Sequence, residues 1–86
     1  MPRFFFHLRD HRGLLEDPDG RFFDDLDRVR AAALKDARSI MCHDIENGSL
    51  DLRGWIEVVD EAGGPVFVLK FTAAVDLTLD PPLEPQ

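Results

Sequence analysis

One segment of this chain, residues 25–47, has the properties of a long α-helix, and strand-like segments flank it on both sides. The segment contains neither Gly nor Pro and is rich in residues of high helix propensity. Asp24 or Asp25 can cap its start, and Asn47-Gly48 is a typical stop signal. Its apolar residues recur at helical spacing, which predicts one apolar face: Leu26, Val29, Ala33, Ala37, Ile40 and Met41. A single helix can cover only one face of a sheet.

The strand-like segments are rich in aromatic and β-branched residues and are separated by turn residues. They are residues 3–9, 14–16, 53–60 and 66–72. Between the second strand and the helix, the sequence DPDG predicts a turn in which Asp19 bonds its own backbone. The order ββαββ predicts an α+β fold, a four-stranded antiparallel sheet with one long helix packed on one face. We expect one domain over residues 1–74, followed by a Pro-rich tail over residues 75–86.

The run Phe4-Phe5-Phe6 indicates that this sheet is apolar on both faces. Successive strand residues point to opposite faces, so a sheet with one solvated face alternates apolar and polar residues. Neither FFF nor VFVL alternates. The residues that we assign to the helix side are Phe4, Phe6, Leu8, Ile56, Val58, Phe67, Leu69 and Phe71. The opposite side, here called the second face, is the candidate interaction face and comprises Phe5, His7, Trp55, Val59, Val66 and Val68.

Three occupants could cover the second face. The first is the tail, in which Val75, Leu77, Leu79 and Leu83 form an apolar stripe. The second is another copy of the chain, giving a homodimer through the sheets. The third is an unknown protein partner. The homodimer is the interpretation that we favour, because an 86-residue chain has a thin core and gains stability from association.

Composition limits the other classes of partner and the cellular setting. The net charge of −7 makes nucleic acid an unfavourable partner. The alternative to a protein-interaction module is a nucleic-acid-binding sheet that uses Phe5, Trp55 and flanking arginines. We expect no membrane association, because no apolar run approaches the length of a membrane span or a secretory signal. Cys42 is the only cysteine, so no internal disulfide can form, and we expect a cytoplasmic protein.

Two clusters of polar residues contain side chains that can bind metals, but neither cluster has the spacing that a metal site requires. A metal site could form from His7, Asp10 and His11 only if the first strand continued to residue 11, but the sequence DHRG is typical of a turn. The triplet Cys42-His43-Asp44 lies on consecutive helical positions about 100° apart, so its members cannot converge on one ion. We therefore predict a protein that is not an enzyme and that has no cofactor and no metal site.

Four stretches of the sequence together resemble a known family. They are MPRFFFHLRD, DPDG, DDLDRVRAAALKDARSIM and IEVVDEAGGPVFVLKF. The pattern is similar to that of the DUF6894 type of domain of unknown function, short bacterial proteins frequent in rhizobia and related alphaproteobacteria. The resemblance covers residues 1–74 and does not include the Pro-rich tail. It implies a cytoplasmic bacterial protein with no assigned activity, supplies no catalytic residues, and sets Phe5, Phe6 and His7 within a family motif.

Overall fold

A computed structural model of the chain, which describes residues 1–78 and 80, has the predicted α+β architecture. An antiparallel sheet carries one long helix on one side. The elements in chain order are β1 (Arg3–Asp10), β2 (Gly13–Leu15), β3 (Arg21–Phe22), α1 (Leu26–Glu46), β4 (Trp55–Val59), β5 (Pro65–Lys70) and α2 (Phe71–Ala74).

The sheet is built around β1, which pairs with three other strands. Strand order is β2-β1-β4-β5, and the two-residue β3 pairs with the start of β1 on the side opposite β4. Phe6 lies opposite Val58, which in turn lies opposite Phe67. Every pairing is antiparallel, as the hairpin signals in the sequence predict.

Helix α1 begins and ends where the sequence predicts, because both ends carry capping residues. The Asp25 carboxylate accepts a hydrogen bond from the backbone N–H of Arg28 at 2.8 Å, which satisfies one of the unpaired amides of the first turn. At the other end the chain leaves the helix at Asn47, and Gly48 adopts a left-handed φ of +83°. Glycine takes this conformation without steric cost, so the helix ends there.

The core lies between α1 and the sheet. The helix contributes Val29, Ala33, Ala37 and Met41, which are almost completely buried. The sheet and α2 contribute Phe4, Phe6, Ile56, Val58, Phe71 and Ala74. The alanines in the middle of the helical face keep side-chain bulk low where α1 faces the sheet. Burying each large aliphatic or aromatic side chain stabilises the fold by about 1.5–3 kcal/mol before the opposing entropy is counted.

The chain after β5 differs from the prediction. The sequence pattern extended the last strand to residue 72, whereas β5 ends at Lys70 and Phe71 begins the short helix α2. The N–H of Phe71 donates to the carbonyl of Gly54 at 3.0 Å, and the carbonyl of Ala74 accepts from Nε of Arg38 at 2.9 Å. These bonds hold α2 on the helix side of the sheet, so Phe71 is still buried in the core as predicted.

The start of the C-terminal tail also lies on the helix side. Val75 packs against the core cluster, and Leu77 is largely exposed. The other two residues of the predicted apolar stripe, Leu79 and Leu83, lie outside the described residues. As far as the structure describes it, the tail therefore does not lie over the second face.

Candidate functional site

The pairing register defines the second face as a grid of cross-strand neighbours. The rows are Phe22–Arg3, Phe5–Val59–Pro65, His7–Glu57–Val68 and Leu14–Arg9–Trp55–Lys70. Five of the six predicted residues occupy positions in this grid. The grid also contains Leu14 and Phe22, which sequence reasoning missed because β2 and β3 are too short to produce a clear alternation.

Val66 is the sixth predicted residue, and its assignment to the second face is wrong. Val58 pairs with Phe67, but Val59 pairs with Pro65, so a β-bulge leaves Val66 without a partner. The bulge inserts one residue and changes the alternation of side chains at that point. Val66 consequently packs against the core cluster on the helix side.

The apolar side chains of the second face are unequally exposed. Val68 is 56% exposed and Phe22 is 58% exposed, whereas Phe5, Trp55 and Val59 are half-buried. Neither α1 nor α2 lies over this face, because both pack on the opposite side of the sheet. The most exposed apolar side chains of this face are therefore Phe22 and Val68, which lie on the outer strands β3 and β5.

Glu57 is the only acidic residue of the grid, and it is bonded on two sides. Its Oε1 accepts hydrogen bonds from Nε1 of Trp55 at 2.9 Å and from Nε of Arg9 at 3.2 Å. The bond from Trp55 lowers the pKa of Glu57; partial burial raises the pKa, and Arg9 lowers it further. The carboxylate is thus held in its charged form beside a cation, which leaves the middle of the face close to neutral.

Cationic side chains cover part of the aromatic surface. The Arg3 guanidinium lies 5.1 Å from the centre of the Phe5 ring, and Arg9 lies 5.9 Å from that of Trp55. The His7 ring stacks on Phe5 with centres 6.4 Å apart. These contacts, together with the approach of Gly20 to the Phe5 ring, contribute to the partial burial of Phe5 and Trp55, over which neither α1 nor α2 packs.

His7 also fixes the loop beside β1. Its Nδ1 accepts a hydrogen bond from the backbone N–H of Asp17 at 3.0 Å, so that nitrogen carries no proton in this arrangement. The Asp17 carboxylate in turn accepts from the backbone N–H groups of Phe6, Asp19 and Gly20. The DPDG turn is therefore stabilised by Asp17, and not by Asp19 as the sequence pattern predicted.

The candidate chemical clusters are not brought together. His7 faces the loop, whereas Nδ1 of His11 lies 3.2 Å from the Asp51 carboxylate. Cys42 is exposed and points its thiol toward Glu46. Over residues 1–78 and 80, no group of three or more His, Cys, Asp or Glu side chains has the geometry of a metal site.

The fold and the surface define a small α+β domain with one long helix and an amphipathic second sheet face. Residues 3–72, most of the chain, match the family described as Domain of unknown function (DUF6894), and the chain belongs to that family. No curated protein and no solved structure matches the chain. Among the described residues, no helix combines the length and the apolar character that crossing a membrane requires.

Proposed function

We propose that this chain is a non-enzymatic interaction module that forms a homodimer through its second face. The observation that carries the proposal is the exposure of Val68, on the edge strand β5, in a sheet face that neither α1 nor α2 covers. Half-buried Trp55 and Val59 on the neighbouring strand β4, and Phe5 on β1, add further apolar surface to the same face. An exposed apolar patch of this kind on a small domain is typical of an interaction site.

The charges of the second face are compatible with a two-fold contact. Arg9 and Glu57 neutralise each other near the centre, while Arg3 and Lys70 lie toward opposite ends of the grid. Long cationic side chains at a periphery can keep their charged ends in water while their stems pack. A polar rim around apolar contacts is common in protein–protein interfaces, and Arg3 and Lys70 would contribute to such a rim.

One observation favours nucleic acid as the second candidate. The grid carries Arg3, Arg9 and Lys70 against the single acid Glu57, although the whole chain has a net charge of −7. Two aromatic rings, those of Phe5 and Trp55, lie on the same surface. Cations beside aromatic rings on an open sheet are typical of single-strand binding.

The oligomeric state tests the first candidate. Multi-angle light scattering should give the mass of a dimer for the wild type and a shift toward monomer for Val68→Glu. Ile45→Glu is the matched control, because Ile45 is 58% exposed but lies on α1. A monomer at all concentrations for the wild type, or equal effects of the two substitutions, would contradict the proposal. Capture of a different protein without self-association would support an interaction module with a foreign partner.

The single tryptophan provides a second measurement. Trp55 lies within the proposed contact, so its fluorescence emission should shift to longer wavelength as the protein is diluted and the dimer dissociates. Retention of single-stranded DNA or RNA that weakens steeply with salt, and that is lost in Arg3→Gln and Arg9→Gln, would favour the second candidate instead.

The proposed setting is the cytoplasm of a bacterial cell. This part of the proposal is supported by the family resemblance and by the single cysteine, which suits a reducing compartment.

A further inference from the structure

We propose a second, separate binding site on the helix side of the sheet, a groove that accepts a basic protein segment carrying a large apolar side chain. The groove lies between α1 and β2 and has a volume of about 550 Å³. Its floor is apolar and is formed by Phe6, Leu8, Leu15 and Ile40. This inference does not depend on the proposed dimer, because the groove and the second face lie on opposite sides of the sheet.

The groove exists because α1 is too narrow for the sheet that it covers. The helix packs mainly over β4, β5 and α2. The helix does not fully cover the same side of β1 and β2. Leu15 is therefore 68% exposed there, and Leu8 is only half-buried. Leu15 lies opposite Leu8 in the register, so the two leucines form one continuous apolar strip along the floor.

Both walls of the groove are held in place by specific contacts. On one side, the loop over residues 16–20 is fixed to β1 by the hydrogen bonds of Asp17. On the other side, Asp36 of α1 forms an ion pair with Arg21 of β3. The Arg21 guanidinium also lies 4.1 Å from the centre of the Phe6 ring, at one end of the floor. A site with fixed walls binds without a large ordering cost.

The charge of the rim selects the occupant. Asp36 and Arg21 neutralise each other, and the Asp17 carboxylate is occupied by backbone amides. Glu16 and Asp19 are exposed on the same rim and carry the remaining charge, which is negative. An acidic rim around an apolar floor complements a segment with an apolar anchor and flanking Lys or Arg, and disfavours anions such as nucleic acid.

The free edge of β2 provides a way to hold such a segment in an extended conformation. Within the part of the chain that the structure describes, β2 pairs with β1 alone, so its other edge has unpaired backbone groups. An extended segment that adds to this edge alternates its side chains, and every second one faces the floor beside Leu15.

The test is a titration of the ¹⁵N-labelled full chain with the synthetic peptide Ac-KLKLK-NH₂. Binding is monitored through the amide chemical shifts in NMR spectra. Ac-ELELE-NH₂ and Ac-KSKSK-NH₂ serve as control peptides. We expect the basic apolar peptide to shift the amides of the groove, and each control peptide to bind at least about tenfold more weakly because it lacks either the charge or the anchor.

Two adjacent leucines provide the matched variants. Leu15→Ser removes part of the floor and should weaken binding of Ac-KLKLK-NH₂ by about fivefold or more. Leu14→Ser changes the neighbouring exposed residue, which belongs to the second face, and should leave binding unchanged. Equal binding of the acidic peptide, equal effects of the two substitutions, or no shift of groove amides at millimolar peptide would overturn the proposal. Any of these outcomes would leave the dimer proposal standing, because light scattering tests dimerisation separately.

Discussion

The Asp17 carboxylate takes the place of a strand partner for Phe6. Its Oδ2 accepts the backbone N–H of Phe6 at 3.1 Å, at a point on β1 that lies between the residues paired with β2 and those paired with β3. The same carboxylate accepts the amides of Asp19 and Gly20 through Oδ1, both at 3.1 Å. One side chain therefore satisfies three backbone donors and joins the loop to the central strand.

Replacement of Asp17 by Ala should destabilise the protein by about 1–3 kcal/mol. The substitution leaves the partly buried amide of Phe6 without an acceptor, and a donor left unsatisfied costs about this amount. Urea unfolding measures the effect. Asp19→Ala is the matched control, since the contacts of the Asp19 residue are made by its backbone. A loss of stability for Asp19→Ala as large as that for Asp17→Ala would show that the carboxylate of Asp17 has no special role.

Stability should fall in acid partly because of the same carboxylate. Burial raises the pKa of Asp17, but the hydrogen bonds from Gly20, Phe6 and Asp19 outweigh burial and lower the pKa below its usual value. A carboxyl group with a lowered pKa in the folded state contributes stability above its unfolded pKa and loses that contribution as the pH falls through the folded value. The free energy of unfolding should thus decline below about pH 4.

The Asp17→Asn variant isolates this contribution to acid sensitivity. Its free energy of unfolding should depend less on pH below about pH 4 than that of the wild type, because residue 17 no longer titrates. Unfolding is followed by circular dichroism at several acidic pH values. If the free energy of unfolding had the same pH dependence in the two proteins, other carboxyl groups, such as Glu57, would account for the loss of stability in acid.

Substitution of Gly20 by Ala tests how closely the loop approaches β1. Gly20 has a left-handed φ of +71°, and a methyl group there would lie 2.9 Å from the carbonyl oxygen of Phe4. Gly63 has a similar φ of +81° with no atom within 4 Å of the corresponding methyl position. Both substitutions carry the backbone strain of about 1–2 kcal/mol, and Gly20→Ala adds a steric clash. Thermal unfolding should therefore show a clearly larger loss for Gly20→Ala, and equal losses would mean that the loop can move away.

The sequence predicts the helix from its periodicity and the long strands from their aromatic and β-branched residues, and both are local signals. The apolar positions Val29, Ala33 and Ala37 repeat at helical spacing, and the face that they define is the buried one. Asp25 and Asn47 terminate the helix through local capping, which depends only on neighbouring residues. Local rules of this kind can be read without knowledge of the tertiary fold.

The errors concern features that depend on distant parts of the chain. The bulge at Val66 is a property of the pairing between β4 and β5, and alternation along one strand cannot reveal it. Phe22 and Leu14 reach the second face because the short strands β3 and β2 pair with β1, and strands of two and three residues give no clear alternation in the sequence. The groove beside Leu15 likewise results from the lateral position of α1, which no local pattern encodes.

Enlargement of Ala33 should show how closely α1 approaches the sheet. Ala33 is fully buried at the helix–sheet contact, so Ala33→Leu places three additional carbon atoms in a filled space. Overpacking of this kind costs about 1–3 kcal/mol, although leucine has nearly the same helix propensity as alanine. Ala31→Leu is the matched control, because Ala31 is exposed on the same helix, and its effect should lie within about 0.5 kcal/mol of zero. If urea unfolding gave the two variants the same stability, the small residues of α1 would not be what permits its close packing on the sheet.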